Sequence, residues 1–185
     1  MSETLIRHSA CTCCADLLRR RFDRRQFLVM GGTVGLAAAL PGAAWGATGH
    51  YEAMVLNCID PRFPNLIRDY TNQRGLTGKY SHFVIAGASI GVVAPKFKDW
   101  QKAFWDNLAA SMQLHNIPKV IAINHRDCGA ARLAYGEAKV ANAAAETTTH
   151  RAALAEFRKQ VARRHPKLQV ETGLMALDGS VEMLG

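Results

Sequence analysis

The stretch VIAINHRDCGA, residues 120–130, carries an apolar run into a change of chemistry. Lys119 to His125 reads as a strand with a buried apolar centre from Val120 to Ile123, Pro118 standing ahead of it and polar residues behind. His125 closes the run, and Cys128 and Gly129 follow at once. Two intervening residues let the imidazole and the thiol both point inward from a strand-to-helix turn. Such a corner fits a metal ion. It fits equally one buried imidazole beside one buried thiol, and within this stretch alone both readings stand.

Working outward, the chain alternates strand-like and helix-like segments. AMVLNCID (53–60) is an apolar run broken by Pro61, and HFVIAGAS (82–89) is a second strand that passes into small residues. The polar segment 67–75 predicts a short helix ending at Gly75. Residues 98–116 predict a long one, with Trp100, Phe104, Leu108 and Met112 on one stripe, Asp99 as cap and Pro118 as stop. Trp105 joins that packing, which also suits a subunit interface. The Ala-rich run 129–146 is helical with a break at Gly136, and 149–165 is a further helix stopped by Pro166. LQVETGLMALDGSVEML (168–184) reads as a strand pair turning at Asp178-Gly179. Alternation of this kind predicts an α/β fold with a mainly parallel sheet flanked by helices. It puts NCIDPR and NHRDCG at the carboxyl edge of one sheet, where ligands collect in such folds.

The first 47 residues are of another kind. RRRFDRRQFLVMGGTVGLAAALPGAAWGA (19–47) has a basic patch, an apolar run from Phe27 to Ala39 and a small-residue zone with cleavage points after Ala44 or Gly46. That is the layout of an export signal, too short to span a bilayer as a helix. Arg24, Arg25, Phe27 and Leu28 follow the twin-arginine order, which implies export machinery that carries folded, already metallated protein and a periplasmic or exported destination. A Sec signal or an uncleaved membrane anchor is the alternative. The division is therefore 1–47, export segment, and 48–185, one α/β domain. Cys11, Cys13 and Cys14, with His8, fall in the export segment, as a transient metal cluster or an incidental one. The net charge of +8 is scattered, without aromatic-basic interleaving, and excludes nucleic acid as the expected partner.

Only Cys58 and Cys128 remain in the domain. A disulfide between them is the plain reading. With His125 they also make two sulfurs and a nitrogen, the donor set of a zinc site that keeps one position open. Cys128 at a helix start, with Gly129 behind it for close backbone approach, favours a thiolate. Asp60 and Arg62 follow Cys58 at alternate positions of an extended segment, with Pro61 pushing Asp60 toward that conformation. An arginine there clamps the carboxylate and keeps it ionised. His50, His82, His115, His150 and His165 read as surface or capping residues, any one of which could shuttle protons.

C-x-D-x-R and H-x-x-C-G together resemble the signature of the β-class carbonic anhydrases. Cys58, Asp60, Arg62, His125, Cys128 and Gly129 match it, with Asp127 also fitting, over roughly residues 53–185. The resemblance implies one Zn2+ per chain on Cys58, His125 and Cys128, and reversible hydration of carbon dioxide to bicarbonate. Asp60 would orient the attacking hydroxide, and Arg62 would hold Asp60 off the metal. It implies a substrate pocket near Gly87, Ala88 and Ser89 and a homodimer or larger homo-oligomer. Relatives that hydrolyse carbonyl sulfide or carbon disulfide share these ligands, and a non-catalytic zinc-binding relative is the third alternative. The chain departs from the family in lacking N-terminal helices before the first strand, an Arg-Asn ahead of Ala86-Gly87, and a second glycine after Gly129.

Overall fold

The computed structural model describes residues 49–185, and the expected export segment with its three cysteines lies outside them. Five strands form one sheet: β1 (Ala53–Asn57), β2 (Tyr80–Val84), β3 (Lys119–His125), β4 (Gln169–Met175) and β5 (Val181–Met183). Their order is β2-β1-β3-β4-β5. The first four are parallel, and β5 returns antiparallel to β4. Among the described residues the α-helices are α1 (Pro64–Gln73), α2 (Ser89–Val93), α3 (Lys98–His115), α4 (Gly129–Tyr135) and α5 (Ala143–Arg164).

The runs 53–56 of β1 and 120–123 of β3 are wholly apolar because both faces are covered. Ala53, Val55, Ile121, Ile123 and Met175 meet Phe63 and Ile67 on the α1 side. Met54, Leu56, Val120, Ala122 and Leu174 meet Phe104, Leu108, Leu154, Phe157 and Val161 of α3 and α5. Full burial of a Leu or Phe side chain stabilises by about 1.5–3 kcal/mol, so these two layers dominate the folding free energy.

The structure differs from the sequence expectation in several features, and α1 runs Pro64–Gln73 rather than 67–75. The second strand ends at Val84 rather than 89. After it Gly87 and Ala88 take positive φ of 78° and 51°, and the chain folds straight into α2. A Cβ at Gly91 would meet the Ala86 carbonyl oxygen at 2.6 Å, so this reversal depends on glycine, a tertiary demand that apolar periodicity does not carry. The Ala-rich helix stops at Gly136 (φ 88°), as expected, but does not resume to 146. Asn142 caps α5 by accepting the Ala145 N–H at 3.0 Å, so residues 143–148 belong to the later helix. Asp99 lies in the first turn of α3 without capping it, where its charge still suits the helix dipole. Trp100 leaves the expected stripe. It is 41% exposed and stacks on Phe97 with centroids 4.3 Å apart.

The hairpin at Asp178-Gly179 forms as read, with Gly179 at φ 88° and Ala176 N–H bonded to Ser180 O at 2.8 Å.

Candidate metal centre

Because β1 and β3 are parallel neighbours, their carboxyl ends deliver Cys58 and His125 to the same edge. Cys128 follows at the start of α4. The donor atoms of Cys58, His125 and Cys128 lie within 4.8 Å of one another, and all three residues are buried. Both cysteines are free thiols, so the disulfide reading fails.

The fit to a metal can be tested on the imidazole. His125 Nδ1 lies 2.8 Å from the Arg126 carbonyl oxygen, which can only accept. Nδ1 therefore carries the proton, and the lone pair is left on Nε2. That Nε2 is buried with no partner. A buried, unpartnered ring nitrogen beside two thiols is a costly arrangement for an empty core and an apt one for a thiophilic divalent ion such as zinc.

The thiols face one another, and their ionisation is linked. Cys58 is held well below the usual thiol range, chiefly by a hydrogen bond from the Cys128 thiol and further by the Gly87 N–H. Cys128 is pushed up, first by that same bond and then by burial. Burial draws the His125 imidazole down, but Cys58, the Arg126 carbonyl and Asp60 outweigh it and leave it raised. Gly129 also differs from expectation, since a Cβ there would meet nothing within 4 Å.

Asp60 and Arg62 form the expected pair. Arg62 Nε donates to Asp60 Oδ1 at 2.9 Å and Nη2 to Oδ2 at 2.8 Å, a two-pronged clamp. The Arg62 hydrogen bond holds the Asp60 carboxyl down at about 2. The second contact of Arg62 was not read from sequence. Nη1 reaches Asp127 Oδ2 at 2.7 Å and Nη2 reaches the Asp127 carbonyl at 3.0 Å. Arg62 thus ties the two motifs together across 65 residues of chain.

Of the three residues expected near the substrate, Gly87 touches the cluster, donating its N–H to Cys58 Sγ at 3.1 Å. A Cβ there would meet Ala130 Cβ at 3.0 Å. Ala88 and Ser89 are fully buried. The Ser89 hydroxyl and N–H both go to Asn124 Oδ1, at 2.8 and 3.1 Å. His150, expected at the surface, is also fully buried, with Nδ1 3.0 Å from Asn124 Nδ2. Sequence periodicity gave no sign of this Ser89–Asn124–His150 link.

No family model matches the chain. The β-carbonic anhydrase CafA of Aspergillus fumigatus superposes with a TM-score of 0.52 at 16% identity, covering 94% of this chain and 91% of that one. The β-carbonic anhydrase CcaA gives 0.52 at 13%, with 92% of each chain covered. The carbonic anhydrase of Streptococcus mutans gives 0.50 at 14%, covering 90% of this chain and all of that one. At such identities the likeness shows the fold alone. In sequence the chain is 30% identical over 133 residues to an "uncharacterized protein" of Rickettsia conorii, 72% of each chain. It is 31% identical over 133 residues to another of Rickettsia bellii, 72% of this chain and 81% of that one. With its sheet, helices and buried Cys-His-Cys corner arranged as described, the chain belongs to the family of these two rickettsial proteins and has the fold of the β-carbonic anhydrases.

Proposed function

We propose that the protein is a zinc lyase that converts carbon dioxide and water to bicarbonate and a proton, reversibly. The observation that carries this is the free Nε2 of His125 converging with two thiols beside a carboxylate locked to an arginine. Cys58, His125 and Cys128 would hold one zinc ion per chain. Bound there, zinc supplies a Lewis acid that makes water a nucleophile near neutral pH. Two thiolate ligands cancel the charge of the ion, so the surrounding residues have more to contribute than around a three-histidine site.

Asp60 stays ionised at any working pH, because Arg62 holds its carboxyl at about 2. A carboxylate so weakly basic is a poor proton acceptor but a dependable hydrogen-bond acceptor. Its role is to orient the attacking water, while Arg62 restrains it from swinging toward the thiols. The fold of the solved carbonic anhydrases supports this reading of the site.

The export signal at 1–47 supports a periplasmic or exported location. Ile59 and Leu133 are 62% and 70% exposed on segments that also carry site residues, which supports a homodimer or larger homo-oligomer.

Stopped-flow hydration of carbon dioxide by zinc-loaded protein tests the reading. The expected result is a rate well above buffer that falls about 100-fold in Asp60→Asn with zinc retained. No rate above buffer with one zinc per chain would sink it. Turnover of carbonyl sulfide or carbon disulfide instead would make the protein a hydrolase on the same ligands.

A further inference from the structure

The corner between the two ligands of β3 and α4 is strained and needs a restraint. Asp127, between His125 and Cys128, has φ 54°, a left-handed conformation that L-residues other than glycine adopt only under constraint. If it relaxed, the Cys128 sulfur would swing away from the His125 nitrogen. The side chain that holds it comes from α5. Glu146 Oε1 accepts the Asp127 N–H at 2.5 Å. Its other oxygen faces Arg126 Nη1 at 3.4 Å. Arg126 is fastened in turn to Thr147 Oγ1 at 2.7 Å and the Ala143 carbonyl at 3.1 Å, both on the first turns of the same helix. The Arg126 N–H closes onto the Met175 carbonyl of β4 at 2.9 Å.

Glu146 is buried, and a carboxylate is expensive to bury unless its oxygens are matched. Here both are spent on the two residues that separate the ligands. Asp127 passes the restraint on, since its carbonyl and carboxylate are the second anchor of Arg62.

We propose that Glu146 is a positioning residue for the metal corner. By holding the Asp127 N–H it fixes the left-handed turn that brings Cys128 opposite His125, and through Asp127 it steadies Arg62 against Asp60. This rests on the reading of Cys58, His125 and Cys128 as metal ligands. Glu146 itself hydrogen-bonds to Asp127 and Arg126, and not to the donor atoms or Asp60.

Two substitutions separate this role from simple charge burial. Glu146→Gln keeps the reach and an oxygen acceptor for the Asp127 N–H but loses the charge opposite Arg126. Glu146→Asp keeps the charge but is one methylene too short for the N–H. Zinc affinity is measured by chelator competition, and ligand geometry by the absorption of the cobalt-substituted protein. Positioning through the N–H predicts that Glu146→Asp weakens zinc binding by about 10- to 100-fold and alters the cobalt spectrum, while Glu146→Gln stays close to the parent. Equal zinc affinity in Glu146→Asp and parent would overturn the inference, as would a loss in Glu146→Gln matching that in Glu146→Asp. A parent chain that takes up neither zinc nor cobalt would instead refute the ligand assignment, and this inference with it.

Discussion

His125 and His150 are two imidazoles buried near the same end of β3, and each leaves its Nε2 without a partner. They differ in what the other nitrogen meets. His125 Nδ1 faces a carbonyl, so it donates and Nε2 keeps a lone pair. His150 Nδ1 faces Asn124. The Asn124 oxygen is identified by the Ser89 N–H that it accepts, so its amide nitrogen is what donates to His150. His150 must then carry its proton on Nε2, a donor that cannot ligate a cation. Burial and an unpartnered nitrogen are thus not enough to mark a ligand. The tautomer set by the opposite nitrogen decides it, together with the two thiols that gather around His125.

The widest test of that contrast exchanges each imidazole in turn. His125→Gln should abolish stoichiometric zinc uptake, read by metal analysis after gel filtration, whereas His150→Gln should retain it. Loss of zinc in both variants would break the distinction.

Next in size is a pH effect on stability. Burial first, then the nearby His125 and Arg126, depress His150 from 6.5 to about 4. Between those values the unfolded chain binds a proton that the folded one refuses. The contribution is therefore fully present above pH 6.5 and is lost as pH falls toward 4, by about 3 kcal/mol across the window. Urea unfolding at several pH values, parent against His150→Gln, isolates this term from the thiols, which both chains share. Identical slopes would show that His150 does not titrate as its burial requires.

The smallest expected change sharpens the structural side. Ser89→Ala removes one hydroxyl from Asn124 but leaves the Ser89 N–H bond, so it should cost about 1 kcal/mol in chemical denaturation and leave zinc uptake unaltered. A drop in zinc affinity would mean that the Ser89–Asn124–His150 link reaches across β3 to the metal corner.

Much of this was legible from the residues, and the reasons differ. The strand cores at 53–56 and 120–123 announce themselves because burial on both faces demands unbroken apolar residues. Cys58, His125 and Cys128 stood out because sulfur and imidazole are scarce donors and each lay just past a strand. Asp60 and Arg62 were found by their alternation after Cys58. Glu146 was not, since in NAAAETTTH it reads as one polar residue of an Ala-rich helix, and its partner Asp127 N–H is a backbone group with no sequence signal. Asp127 as the second anchor of Arg62 was missed for a related reason, because a left-handed residue other than glycine leaves no mark in composition. The turn into Ser89–Val93 was hidden by an apolar run that suits a strand as well as a buried helix.

Local chemistry along the chain determined the α/β class, the strand cores, the Asp-Gly hairpin and the identity of the candidate metal-donor atoms. These depend on spacing and residue type, which sequence records directly. Tertiary structure alone decided which nitrogen of His125 is free, that Arg62 bridges Asp60 and Asp127, and that a carboxylate from α5 accepts the Asp127 N–H. Each of those is a matter of a few ångströms between groups far apart in the chain, and hydrogen-bond energies vanish over distances that no spacing along a sequence can specify.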